Sequence, residues 1–135
     1  MIKLMFLLAG LNAPLAEVDQ RDDTRPNAAE KIEIGLMEEL DYFEFLEGRI
    51  EDVVVDAQIA DNGGTLKCVE SHIGVILMLG ESVDFEYGSG KRALHRQQVD
   101  LAEFHLLQLT EVVDKAQGKL SEAEECLATH YANFN

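Results

Sequence analysis

The chain predicts an α+β fold, a mostly antiparallel sheet of four or five strands with two or three helices packed on one face. Three observations lead there. Residues 50–60 alternate apolar and polar, Asp61-Asn62-Gly63-Gly64 has the composition of a tight hairpin turn, and residues 92–117 repeat their apolar positions at threes and fours. With 135 residues, 47% of them hydrophobic, one domain can bury a single core without staples.

Taken in order, Leu4-Met5-Phe6-Leu7-Leu8-Ala9 is a short apolar run, and residues 2–9 are expected to form a buried first strand. Lys3 before that run, and Ala13-Pro14-Leu15-Ala16 after it, also resemble a short secretory leader. Residues 11–27 are rich in turn formers and read as a connector. Asn27 with Glu30 makes a capping box, so a helix is expected to start at Ala28. Its apolar stripe is Ile32, Leu36, Leu40 and Phe43, and Gly48 is expected to stop it. Lys31 to Leu36 also alternates, which leaves a strand as the competing reading there.

Val53, Val55, Ala57 and Ile59 mark the next strand, and Thr65 to Ser71 its hairpin return. The unbroken run Ile73 to Leu79 suits a central strand covered on both faces. Gly80-Glu81-Ser82 would then turn the chain into a fourth strand through Val83, Phe85 and Tyr87. Gly88-Ser89-Gly90 is expected to break the chain before the long helix 92–117. That helix carries an apolar stripe of Val99, Ala102, Leu106, Leu109, Val113 and Ala116. A second set, Leu101, Phe104, Gln108 and Val112, widens it. Gly118 ends the helix, and Ser121 with Glu124 would cap a short last one running to about Tyr131.

Charge is the most informative feature. Eleven Lys and Arg stand against 26 Asp and Glu, a net of −15. Residues 17–61 hold fifteen acids and four bases, a net of −11, while residues 62–135 contribute only −5. Phosphate contacts need clustered Lys and Arg, so neither nucleic acid nor an anionic membrane is expected as a direct partner. Such crowding raises self-repulsion that a basic partner would relieve. The expected binding residues are Glu30, Glu33, Glu38, Glu39, Asp41, Glu44, Glu47, Glu51 and Asp52, interleaved with Tyr42, Phe43 and Phe45. On a helix several of these acids form a row of carboxylates that would suit a Lys/Arg groove built for nucleic acid. A solvated face that keeps the protein soluble is the plainer reading.

Other chemistry is sparse. Cys68 with His72, and Cys126 with His130, share a four-residue spacing and could supply two thiolates and two imidazoles to zinc. On an extended strand, however, residues four apart lie ~13 Å from each other. The spacing also departs from the usual zinc pairs. Two cysteines make no disulfide framework, so reduced thiols and a cytoplasmic location are expected. Gly88-Ser89-Gly90-Lys91-Arg92 fails as a phosphate loop, because Phe85 occupies the first glycine position and Arg92 the hydroxyl position. With His95 and Arg96 it makes the one basic cluster, which could meet the acidic helix of a second copy. His105 reads as a satisfied boundary histidine. Hydrolase, metalloprotease and dinucleotide signatures are missing, and no cofactor is expected.

The expected function is therefore binding rather than catalysis. The chain would act as an inhibitor, antidote or nucleic-acid mimic on the basic surface of a protein partner, such as a nucleic-acid-binding protein. Phage counter-defence proteins offer an analogy of charge only. A subunit oligomerising through the long apolar helix is the first alternative, and a small Cys/His metal protein the second.

Overall fold

A computed structural model describes the backbone of residues 27–60 and 64–134, and all of its secondary structure is helical. Among the described residues three helices follow one another: α1 (Ala28–Ala60), α2 (Gly64–His95) and α3 (Val99–Phe134). At 33, 32 and 36 residues each is roughly 50 Å long. No sheet exists among the described residues, which overturns the α+β expectation. The first strand, 2–9, lies outside them, as do Asp61, Asn62 and Gly63.

Contacts along the helices give the topology. Glu33 of α1 meets Lys91 near the end of α2, and Phe43 lies beside Gly80, so α1 and α2 run antiparallel. Glu86 meets His105, and Cys68 meets Cys126, so α2 and α3 are antiparallel as well. Glu39 pairs with Thr110 and Arg49 with Glu124, in the same chain order, so α1 and α3 are parallel. The result is an up-down-up three-helix bundle.

The core is a seam from each helix. On α1, Ile32, Leu36, Phe43, Leu46, Ile50, Val53 and Ala57 are buried. Their spacing keeps one face turned inward for more than two turns past Gly48, where the helix was expected to stop. Nothing lies within 4 Å of a Cβ placed at Gly48, so this glycine is an exposed helical residue and no terminator. The expected strand 50–60 is the second half of α1. Its alternation coexists with the three-and-four spacing of Ile50, Val53 and Ala57, and burial follows the latter.

The same substitution of period explains α2. Val69, Ile76, Val83 and Gly90 recur every seven residues and are buried. A central strand would bury the whole run Ile73 to Leu79. The helix instead leaves Leu77 and Met78 62% and 73% exposed. The expected turn at Gly80 and break at Gly88 to Gly90 are both inside α2. Gly80 and Gly90 stand where α1 approaches closely, against Phe43 and Leu36. α3 starts at Val99 rather than at 92, which lies in α2. It buries Ala102, Leu109, Val113 and Ala116 of the expected stripe, half-buries Val99 and Leu106, and continues the buried face through Leu120, Ala123 and Leu127. Gly118 and Ser121 therefore lie inside one helix, and Glu124 binds Arg49 rather than capping.

Two of the helix ends have clear local causes. At Asn27 the expected capping box is present: its N–H donates to Glu30 Oε1 at 2.9 Å, and the Glu30 N–H donates to Asn27 Oδ1 at 2.8 Å. Between α2 and α3, Gln98 N–H bonds Ala93 O at 2.8 Å and Gln97 N–H bonds Leu94 O at 2.9 Å, a Schellman closure. Gln97 takes the left-handed conformation there, with φ 61°, which a side chain disfavours. Gln97→Gly is accordingly expected to stabilise the bundle by about 0.5–1 kcal/mol, read as a rise in Tm of a few degrees. An unchanged or lower Tm would mean the Gln97 side chain contributes more than its backbone strain costs.

Candidate acidic face

All nine acids expected to bind a partner lie on α1, but the helix divides them. Glu30 caps the N-terminus. Glu33 is held by Lys91, whose Nζ donates to Glu33 Oε2 at 2.9 Å. That hydrogen bond is the main reason the Lys91 pKa is raised. Glu39 turns inward and accepts from Thr110 Oγ1 at 3.1 Å. Glu38, Asp41, Glu44, Glu47, Glu51 and Asp52 are exposed. Among the described residues none of these six forms a salt bridge.

Ten of the residues of α1 are acidic and two basic. One of the bases, Arg49, is committed to Glu124 of α3, and its pKa is raised chiefly by that hydrogen bond. The carboxyl of Glu47 is held above its ordinary value by partial burial first, then by the charges of Glu44 and Asp84. Repulsion within the cluster is thus felt at Glu47 in the folded protein. Of the aromatic residues interleaved with these acids, Phe43 is buried in the core. Tyr42 and Phe45 stay exposed, stacked with centroids 5.9 Å apart, and the Tyr42 hydroxyl donates to Gln117.

The basic cluster serves the bundle. Lys91 binds the same chain's α1, Arg92 reaches Ser89 at 3.1 Å, and Arg92 and His95 lie in the last turn of α2, where the helix dipole favours cations. Gly88 to Gly90 are helical, so their N–H groups are not available to cradle an anion. His105 is a satisfied boundary residue as expected. Its Nδ1 is 2.7 Å from Glu86 Oε1, with the two side chains 13% and 16% exposed.

Of the Cys/His set the two cysteines come together, for a reason the sequence did not suggest. On helices, four residues are one turn, so the ~13 Å obstacle of an extended strand disappears. Cys68 and Cys126 come together with Cα atoms 6.3 Å apart and are joined as a disulfide. The bridge replaces the two expected reduced thiols, and it leaves no thiolate for a metal. His72 Nδ1 lies 3.1 Å from Glu122 Oε1, and the side chain of His130 is outside the described residues. No cluster of His, Cys, Asp and Glu able to hold a metal occurs among the described residues.

Fold and face together define an acidic, disulfide-closed three-helix bundle with one carboxylate-rich helix turned outward. Compared with known protein families, curated proteins and solved structures, the chain matches none of them.

Proposed function

We propose that the protein is a non-enzymatic binding protein that occupies a basic surface of another protein through α1. One observation carries this reading: Glu38, Asp41, Glu44, Glu51 and Asp52 point outward with no basic partner among the described residues. Cations brought to that face gain Coulomb attraction and relieve the crowding registered at Glu47, and long-range steering speeds the encounter. The rival reading, assembly through the apolar stripe of the long helix, is less favoured, because Ala102, Leu109, Val113 and Ala116 are already buried against α1 and α2.

Reversing Glu38, Asp41, Glu44 and Glu51 to Lys tests the proposal. Each is exposed, so the bundle is expected to keep its helical circular dichroism. Basic proteins that co-purify with the wild type from its native host at about 0.15 M salt are expected to be lost with the variant, and to elute from the wild type as salt rises. Recovery of the same proteins by both chains would refute the proposal.

For location, no helix among the described residues is long and apolar enough to cross a membrane. The Cys68–Cys126 bridge favours an oxidising compartment over the cytoplasm, and with it the secretory-leader reading of Lys3 and the apolar run that follows. Two reactive thiols per chain in protein isolated from the host would return it to the cytoplasm.

A further inference from the structure

The outward face of α1 carries more than charge. The inward-facing positions of this helix are the core residues 32, 36, 43, 46, 50, 53 and 57, with the half-buried Glu39 among them. On the opposite side of the helix, a second seam at three- and four-residue spacing runs through 34, 37, 41, 45, 48, 52, 55 and 59. A helix on the outside of a bundle needs one apolar stripe, yet this second seam holds Ile34, Met37, Phe45, Val55 and Ile59, each between 48% and 76% exposed. Gly48 lies in it with open space around its Cβ position. The stripe is ~38 Å long, and neither α2 nor α3 covers it.

We infer that this face docks a basic amphipathic helix of a partner protein, laid along α1 with its apolar side on Met37 and Phe45 and its Lys or Arg residues against Asp41, Glu44 and Asp52. The inference rests on the acidic-binder reading and narrows it. A groove built for nucleic acid would be matched by carboxylates alone, whereas large apolar chains at three- and four-residue spacing match the anchors of a helix. Charge complementarity selects the occupant. A second copy meeting the same face would set acid against acid, and an anionic membrane would be repelled.

The experiment uses the full chain and two synthetic peptides of about 20 residues and equal positive charge. One is a Leu/Lys amphipathic helix, and the other a Gly/Ser/Lys chain that forms no helix. Binding is followed by fluorescence anisotropy at about 0.15 M salt. The amphipathic peptide is expected to bind at least about tenfold more tightly than the other. Met37→Ser with Phe45→Ser is expected to erase that difference, while Met78→Ser with Phe85→Ser, two exposed apolar positions on α2, leaves it intact.

Equal affinity for both peptides, or equal loss from both double variants, would overturn the helix partner. The acidic-surface reading would survive that result provided Asp41→Lys with Glu44→Lys still weakened both peptides. Indifference of both peptides to that charge reversal would remove the acidic-surface reading too. Concentration-dependent dimerisation abolished by Phe45→Ser would assign the face to a second copy and also overturn the proposal.

Discussion

Replacing Cys68 and Cys126 by Ser, or reducing their bridge, is expected to lower the stability of the bundle by about 4 kcal/mol. The figure follows from the loop that the bridge closes. Its ends are 58 residues apart in sequence, and in the chain-entropy treatment a cross-link over that span removes about this much freedom from the unfolded chain. Against a total stability of ~5–15 kcal/mol for a domain, this is among the largest single contributions available here. Thermal unfolding followed by circular dichroism, with and without a thiol reductant, is expected to show Tm falling by on the order of 10 °C or more. A shift of less than about 2 °C would mean that the two sulfurs are not joined in the native protein.

The position of the bridge says where the loss will be felt. One end of the α2–α3 hairpin is closed by the tight connection at Arg96 to Gln98, and the other by Cys68–Cys126. On reduction the second end is held by side-chain packing alone, through Val69 and Leu127 and the His72–Glu122 contact. Amide exchange is therefore expected to accelerate first near Val69 and Ala123, ahead of the middle of the helices.

Local chemistry was legible in the sequence where it depends on neighbours in the chain. The Asn27–Glu30 box placed the start of α1 correctly, because the interaction is complete within four residues. The stripe from Val99 to Ala116 was legible for a similar reason, since three-and-four spacing has no competing period there. The charge imbalance on α1 needed only counting. The middle of the chain was misread because two periods coexist in it. Residues 53–59 satisfy both the alternation of a strand and the spacing of a helix, and only the partner surface decides between them. Glycine misled more than any other residue type. Gly48 and Gly118 are exposed inside helices, and Gly80 and Gly90 lie where another helix comes close. Reading them as breakers cut long helices into strands and turns. On the acidic face, the sequence could name the carboxylates but could not show that Glu33 and Glu39 are spent on Lys91 and Thr110. Nor could it show that the apolar residues between them form a seam, because that seam appears only once residues 50–60 are helical.

A tight contact between α1 and α2 sets the second large effect. Leu36 is fully buried, and a Cβ placed at Gly90 would stand 2.9 Å and 3.0 Å from its two methyl carbons and 3.5 Å from the Cβ of His105. The glycine is a hole and the leucine the knob that fills it, so each residue is required by the size of the other. Leu36→Ala is expected to cost about 3 kcal/mol, the transfer free energy of the lost methyls plus the cavity they leave. Gly90→Leu should cost about 2 kcal/mol, because overpacking against an immobile neighbour outweighs the gain in helix propensity of ~0.8 kcal/mol. Combined, the two changes exchange knob and hole across the same contact. The double variant is expected to be more stable than the sum of the single effects by at least about 1 kcal/mol, measured by urea unfolding. Strict additivity would show that the two residues do not share that contact. The α1–α2 register, and with it the placement of the acidic face on the outside of the bundle, would then have to be set by the Lys91–Glu33 and Phe43–Gly80 contacts instead.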